Sequence, residues 1–292
     1  MSKYSIKDLE QLSGIKAHTL RIWEQRYTII SPQRTDTNIR TYDDQDLKLV
    51  LNISMLKDHG YKISEIAKLS IEDMNREVSR ISEKQLNYPD QIQALTLAMV
   101  DLDEARFNKI ISTNIQRSGF ENTMIRIIYP FLSRLGTLWV TGSIGPAQEH
   151  FITNLIRQKI IVAIDMLAEN EEQSGKTYLL FLPEGEFHEI NLLFAHYVIA
   201  TRGNKVVYLG QNLPFNELLF AGKRHKPDYI FTVVTSTPAN HEVQPFVNQL
   251  ADAFSDATIL MTGFQVVGQD INTPENTRII NQIDELIRIA GT

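Results

Sequence analysis

The sequence predicts a multidomain protein of α and α/β class. It comprises an N-terminal winged helix-turn-helix, a middle four-helix bundle and a C-terminal doubly wound, Rossmann-like domain. Residues 1–75 carry short helical patterns that glycine and proline interrupt, residues 91–172 show helical spacing almost throughout, and residues 176–292 alternate β-rich runs with helical stretches. A length of 292 residues is sufficient for two or three domains. We predict that the polar stretch 76–90, which contains the breaker Tyr88-Pro89-Asp90, is a linker.

Composition and charge restrict the classes of function. The chain has no cysteine, which excludes disulfides, thiolate catalysis and cysteine-based zinc sites. No apolar run reaches the roughly 18 residues that cross a bilayer, and no signal peptide precedes the first helical pattern, so we expect a cytoplasmic protein. A net charge of −6 argues weakly against nucleic-acid binding, yet residues 16–40 carry five Lys and Arg against two acids. We expect this local basic segment to contact DNA.

Two short helices joined by a glycine turn are predicted at the N-terminus. Ser5 and Asp8 have the spacing of a capping box, which marks the start of the first helix. Gly14 lies in a tight turn, and Leu20 and Trp23 take inward positions on the second helix. This arrangement is typical of a helix-turn-helix, although many other helical proteins contain such a turn.

A short β-ribbon and two further helices are predicted next. Residues 33–42 form a two-stranded wing with residues 36–38 at its tip. Asp43 or Asp44 caps a third helix, whose apolar positions run from Leu47 to Leu56. Residues 63–69 form one more short helix. Together these elements favour a winged helix over an isolated helical turn.

The same segment closely resembles the MerR family. The resemblance rests on the stretch from Thr19 to Tyr27, on Pro32-x-Arg34 and on Arg40-Thr41-Tyr42, and it covers about the first 70 residues. The Arg-x-Trp-Glu-x-Arg-Tyr pattern is similar to the branch whose sensors bind cobalamin or descend from cobalamin binders. Membership implies that the second helix enters the major groove and that the wing contacts the flanking DNA backbone.

Several residues of this segment are expected to contact DNA, mostly at phosphates, because most protein–DNA hydrogen bonds go to the backbone. Trp23 and Tyr27 are instead expected to be core residues. The Tyr42 hydroxyl can reach a phosphate or the side chain can only brace the wing, and His18 is a DNA contact or solvated surface. The predicted DNA-binding residues are Lys16, His18, Thr19, Arg21, Arg26, Arg34, Arg40 and Tyr42.

The helical middle contains one constellation that suggests a ligand. Apolar residues at helical spacing predict four helices, which are typical of a bundle for dimerisation or spacing. Trp139 precedes the pair Glu149-His150 across a loop, and by pattern alone these are an ordinary buried Trp and an ordinary Glu-His pair. The spacing resembles the helical cap of CarH/LitR-type cobalamin photoreceptor-repressors. That resemblance implies that Trp139 packs over the upper axial face of adenosylcobalamin and that Glu149 and His150 face the same ligand.

The C-terminal module is predicted to be a doubly wound parallel sheet. Strands are expected at residues 178–182, 205–209, 229–235 and 258–261, with helices near 189–202, 215–224 and 242–254 between them. Ligands of such sheets bind outside the carboxyl ends of the strands. The loop after the first strand, residues 183–191, is therefore the place to look for a binding site.

This loop resembles the cobalamin-binding motif Asp/Glu-x-His-x-x-Gly, with Glu186 and His188 in the acid and histidine positions. The resemblance implies that His188 is the lower axial ligand of cobalt and that Glu186 hydrogen-bonds its other ring nitrogen. Such a partner fixes the tautomer and raises the basicity of the ligand. A lone histidine here would otherwise be a helix-capping or surface residue.

The sequence also differs from the cobalamin-binding family at several motif positions. The motif glycine is Asn191, the Ser-x-Leu of the family corresponds to Thr235 and Thr237, and its Gly-Gly corresponds to Thr262 and Gly263. The resemblance implies that these small residues line the channel of the nucleotide tail, so the larger side chains can crowd it. The residue after Trp139 is valine, which has no nitrogen with which to capture cobalt after photolysis as the histidine of light-responsive members does.

The sequence therefore predicts a transcription regulator that senses cobalamin, with adenosylcobalamin as the expected form, and that controls oligomerisation and operator binding. The expected partners are double-stranded promoter DNA and other copies of the chain as a dimer or tetramer, with RNA polymerase as a further candidate. One alternative is a MerR-type regulator whose degenerate sensor no longer binds cobalamin. Another is a corrinoid carrier protein, which would not need a DNA-binding head. No enzyme activity is expected, because no nucleophile, acid–base pair or phosphate-binding glycine loop is recognisable.

Overall fold

A computed structural model describes residues 4–35, 38–84, 88–140, 144–167, 175–235 and 243–292, without the side chains of residues 79, 82–84 and 137–140. The chain divides into two compact units, Met1–Leu155 and Ile156–Thr292, and each is described by itself. Within the described ranges, no helix combines the length and hydrophobicity that a membrane crossing requires.

The first unit begins with the predicted helix-turn-helix. Helix α1 (Ile6–Ser13) starts at the expected capping box, in which the Ser5 side chain accepts from the Asp8 N–H and the Asp8 side chain accepts from the Ser5 N–H. The helix ends at Gly14, whose φ of 75° is the left-handed conformation that glycine adopts without strain. Helix α2 (Ala17–Tyr27) buries Leu20 and Trp23, as predicted.

The predicted wing and third helix follow. Strands β1 (Gln33–Arg34) and β2 (Arg40–Thr41) pair antiparallel, and residues 36–37 of the predicted tip lie outside the described residues. Helix α3 (Asp44–Asp58) is capped by Asp43. Helix α4 (Ile63–Ile66) is shorter than predicted, because the N–H groups of Lys68 and Leu69 bond to carbonyls three residues back and tighten the chain into a turn.

Residues 76–84 and 88–90 of the predicted linker are helical, and residues 85–87 lie outside the described residues. Helix α5 (Ile71–Lys84) runs into it from one side, and helix α6 (Tyr88–Asp101) starts inside it. The supposed breaker is the first turn of α6, where proline is tolerated because its missing N–H would have no helical partner. The domain boundaries at 75, 90, 172 and 176 stay predictions.

Helix α3 of the winged helix and helix α6 of the helical segment share one core. Every residue from Val50 to Leu56 is buried. The Gln93 side-chain amide donates to the Leu51 carbonyl oxygen at 2.5 Å, and His59 Nε2 lies 3.0 Å from a carboxylate oxygen of Asp90. Buried polar pairs of this kind fix how two helices pack, because an unpaired partner would be costly.

The rest of the predicted helical middle is confirmed. Helix α7 (Glu104–Ser118) is followed by a continuous helical run made of α8 (Phe120–Thr123), a π-helical turn (Met124–Ile128) and α9 (Tyr129–Val140). Helix α10 (Pro146–Asp165) completes the segment. Of the apolar positions predicted at helical spacing, three are half-buried, namely Ile92, Ile125 and Leu132. The others are buried: Leu95, Leu97, Ala98, Phe107, Ile110, Ile111, Ile128, Phe131 and Leu135.

The second unit contains the predicted doubly wound sheet, with five parallel strands in the order β4-β3-β5-β6-β7. The last strand and last helix were not predicted from the sequence. The strands are β3 (Thr177–Pro183), β4 (Lys205–Leu213), β5 (Tyr229–Val233), β6 (Thr258–Thr262) and β7 (Thr277–Ile279), and the helices are α11 (Ile190–Ala200), α12 (Phe215–His225), α13 (Val243–Ala253) and α14 (Ile283–Ala290). The strand order reverses between β3 and β5, and such switch points are where ligands bind in open α/β sheets.

Candidate functional site

The exposed surface of helix α2 and of the wing carries four of the eight predicted DNA contacts. His18, Arg21 and Arg26 are exposed on α2, and Arg34 is exposed on the wing. The Arg34 guanidinium donates to the Asn38 side chain at 2.7 Å across the wing. These side chains can therefore reach DNA without rearrangement of the core.

The first turn of α2 is capped by an acid that sequence analysis missed. The Ala17 N–H donates to Glu10 Oε2 at 3.0 Å, and Lys16 Nζ lies 3.1 Å from Glu10 Oε1. The Ala17 N–H and the Lys16 ammonium lower the pKa of Glu10. Lys16 is therefore partly neutralised within the protein, and Thr19, which is half-buried, lies next in this turn.

Arg40 bonds to the protein itself, and its predicted phosphate contact stays a prediction. Its Nε donates to Glu24 at 3.0 Å, and the two side chains are only 25% and 18% exposed. The hydrogen bond to Glu24 raises the pKa of Arg40. The pair joins the wing to helix α2, so Arg40 orients the wing whether or not it also reaches DNA.

Tyr42 is buried, with 3% of its surface exposed. Its backbone pairs with Tyr4 through two hydrogen bonds, and burial raises the pKa of its hydroxyl. Of the two alternatives, the structure favours the bracing role over a phosphate contact. Trp23 is a core residue as predicted, and Lys57 Nζ lies 4.9 Å from the centre of its ring.

In the helical segment, Glu149 and His150 are neighbours on α10, and His150 Nδ1 lies 2.9 Å from Glu149 Oε2. The His150 side chain is 72% exposed. Trp139 and Val140 belong to α9, and their side chains lie outside the described part of the structure. Their predicted roles at a cofactor stay predictions.

In the second unit, the loop after β3 holds the acid–histidine pair expected from the motif. His188 Nδ1 lies 2.5 Å from Glu186 Oε1. Glu186 is buried to 1% exposure, whereas the His188 side chain is 63% exposed. The acid thus fixes one ring nitrogen, and the imidazole projects where a ligand can approach it.

Glu186 also connects this loop to the neighbouring strand. Its Oε1 accepts from the N–H groups of Phe187 and His188 at 2.9 Å, and its Oε2 accepts from the Thr235 N–H at 2.7 Å. Thr235 follows strand β5, so the carboxylate bridges the switch point between β3 and β5. The sequence motif did not predict this bond.

Strand β4 holds the other side of the loop. The Gly185 N–H donates to Asn212 Oδ1 at 2.9 Å, and the Asn212 N–H donates to the Glu186 carbonyl at 3.2 Å. These bonds hold the backbone of the loop on both sides, while the exposed ring of His188 is bonded to Glu186 through Nδ1.

Two family models match separate parts of the chain. The family model described as MerR HTH family regulatory protein matches residues 4–70. The family model described as B12 binding domain matches residues 91–163. The chain is a DNA-binding regulator that carries a MerR-type helix-turn-helix and a B12 binding domain.

The regulator is homologous to two repressors of Myxococcus xanthus. The transcriptional repressor CarH is 27% identical over 253 residues, which cover 85% of this chain and 83% of CarH. The transcriptional repressor CarA is 25% identical over 280 residues, which cover 94% of this chain and 89% of CarA. Among solved structures, the monomethylamine corrinoid protein of Methanosarcina barkeri is similar in fold, with a TM-score of 0.54 at 13% identity, over 74% of this chain and 98% of that chain.

The glycine that follows strand β6 is required by the backbone itself. In the regulator, Gly263 has a φ of 111°, and a Cβ there would overlap the Val234 carbonyl group, 2.6 Å from its carbon. Thr262 is half-buried at the end of β6, and Asn191 is half-buried in the first turn of α11. Thr237 lies outside the described residues. Their predicted contacts with a nucleotide tail stay predictions.

Proposed function

We propose that this regulator binds cobalamin on its C-terminal α/β domain and that cofactor binding controls its attachment to promoter DNA. The Glu186–His188 pair is the observation that supports this proposal most directly. It places an exposed imidazole, backed by a buried carboxylate, at the switch point of a doubly wound sheet.

The donor set fits a corrinoid. Imidazole nitrogen is a good ligand for transition metals, and a carboxylate on the other ring nitrogen fixes the tautomer and raises its basicity. His188 would hold the cobalt with Glu186 behind it, while Thr235, Thr262 and Gly263 would lie nearest to the nucleotide tail. A bound corrinoid would supply a cobalt centre whose axial ligands can exchange.

Adenosylcobalamin is the form that we propose, because the helical segment resembles the cap that covers an upper axial group. We propose repression as the direction of control, because the two relatives that span most of the chain are repressors. Oligomerisation would then set DNA affinity, since several linked DNA-binding modules bind far more tightly than one. On this proposal the regulator has no catalytic activity.

A sensor that no longer binds cobalamin is the second candidate. Asn191 and Thr262 favour it, because both carry side chains where the motif has glycine. The two candidates differ in a single measurable property, which is the retention of a corrinoid.

Incubation with adenosylcobalamin in the dark, followed by desalting, is expected to leave corrin absorbance on the full-length protein. His188→Ala is expected to shift that spectrum and reduce retention, because cobalt loses its nitrogen ligand. Glu186→Gln is expected to change both in the same direction but less.

His225→Ala is the matched control, because His225 ends helix α12 away from the loop. An unchanged spectrum in His188→Ala would refute the ligand role. Absence of corrin from the unmodified protein would favour the degenerate sensor.

Arg21→Ala and Arg40→Ala are expected to weaken DNA binding for different reasons. Arg21 is an exposed phosphate partner, so its loss is expected to reduce the slope of log affinity against log salt by about 0.9. Loss of Arg40 removes the tie between wing and helix and leaves Glu24 uncompensated, so affinity is expected to fall with a smaller change in slope.

Fluorescence anisotropy with a labelled random-sequence duplex, titrated at several salt concentrations, measures both quantities. Arg278→Ala removes an equal charge from an exposed position on β7 and serves as the control. Equal affinities for all three variants and the unmodified protein would contradict the proposed DNA-binding face.

A further inference from the structure

A second buried carboxylate lies directly after the candidate cobalt ligand. Glu189 is only 9% exposed, although it lies at the N-terminus of helix α11, just before Ile190. Its carboxylate accepts from Arg157 Nε at 2.8 Å and from the Tyr208 hydroxyl at 2.9 Å. The Gln211 side chain approaches the same carboxylate at 3.5 Å.

The partners of Glu189 come from two different elements. Tyr208 and Gln211 belong to strand β4, which borders β3 in the sheet. Arg157 belongs to helix α10, which precedes the sheet in the chain. Glu189 therefore ties α10 to the loop of His188 in addition to anchoring that loop on β4.

Arg157 supplies positive charge to this contact, whereas Tyr208 donates as a neutral hydroxyl, because burial raises its pKa. Tyr208 stacks on His196 with ring centres 5.4 Å apart. Burial lowers the pKa of His196 to about 4, so its imidazole is neutral near pH 7. A carboxylate this buried is stabilised chiefly by charge-assisted hydrogen bonds, and the guanidinium–carboxylate pair is the strongest of those named here.

We infer that the Glu189–Arg157 pair transmits the binding of cobalt at His188 to helix α10. Ligation fixes the His188 ring and with it the adjoining peptide unit that carries Glu189. When Glu189 is held in place, the hydrogen bond from Arg157 Nε to its carboxylate is formed more of the time. The backbone of α10 near Arg157 therefore opens to solvent less often. Glu189 is thus a positioning residue, and its role rests on the proposed binding of cobalamin.

Hydrogen exchange of the full-length protein, measured by mass spectrometry with and without adenosylcobalamin, tests this inference. In the unmodified protein, the cofactor is expected to slow exchange about fivefold or more in residues 156–165, as typical coupling between sites would. In Arg157→Gln and in Glu189→Gln this slowing is expected to disappear, while exchange in the loop 184–189 still slows and the corrin spectrum keeps its His188-ligated form. Arg157→Lys keeps the charge without the planar fork, so an intermediate slowing is expected.

Lys176→Gln is the matched control, because it removes one cation from the exposed pair with Asp228 at the opposite end of the strands. It is expected to preserve the full effect of cofactor on residues 156–165. If Arg157→Gln does not fold, as judged by circular dichroism, Arg157→Lys decides the question. Equal slowing in the unmodified protein and in the folded Arg157 variant would overturn the inference. If the unmodified protein retains no corrin, the proposed function has failed, and the inference fails with it.

Discussion

Replacement of Gly263 by alanine is expected to lower the free energy of unfolding by about 3 kcal/mol or more. A Cβ at this position would overlap the Val234 carbonyl group and lie 2.6 Å from its carbon, so the backbone must move. The φ of 111° adds strain that only glycine avoids. Because Val234 precedes Thr235, the shift is also expected to disturb the bond between Thr235 and Glu186.

Urea denaturation followed by circular dichroism measures the loss. Gly203→Ala is the control, because Gly203 has a φ of 77° but a Cβ added there would meet no atom within 4 Å. It isolates the backbone strain, which is expected to cost about 1 kcal/mol. If the two variants lost equal stability, close approach to Val234 would not be the cause.

Glu186→Ala is expected to have a comparable effect, lowering the free energy of unfolding by about 3 kcal/mol. The carboxylate is buried and accepts from the N–H groups of Phe187, His188 and Thr235. Alanine leaves these donors without that acceptor, and the loop must open to water to satisfy them. The same opening is expected to abolish retention of adenosylcobalamin, because the ring of His188 loses its support.

The comparison is with Glu184→Ala, which removes an exposed carboxylate from the same loop. It is expected to change stability by less than about 0.5 kcal/mol. Thermal unfolding of both variants, with corrin retention measured in parallel, separates the two positions. Similar losses in both would mean that Glu186 acts only through loop charge.

Local signals in the sequence predicted the winged helix well. The capping boxes at Ser5 and Asp43 act over three residues, so the pattern contains all the information that they need. The helical residues 76–84 and 88–90 were missed for the opposite reason. Their polarity suggested a linker, but a helix that packs on α3 needs only one apolar face, and Val78 and Ile81 supply part of it.

The contacts of the candidate site also fall into local ones, which the sequence could indicate, and distant ones, which it could not. Glu186 and His188 are two residues apart, so a motif could indicate their hydrogen bond. The contacts of Arg40 with Glu24, of Glu186 with Thr235 and of Glu189 with Arg157 join residues distant in sequence. Only the folded chain brings such residues together. For Tyr42, burial favours one of the two roles that the pattern left open.

The shared core of α3 and α6 has a practical consequence for dissecting the protein. A fragment truncated at residue 75 would uncover the side of α3 that α6 protects, including the Leu51 carbonyl that Gln93 satisfies. Such a fragment would be prone to aggregation and proteolysis, and it would bind DNA more weakly than the intact DNA-binding domain does. A soluble DNA-binding fragment must extend through Asp101, and domain exchange between related regulators must place its junction beyond that helix.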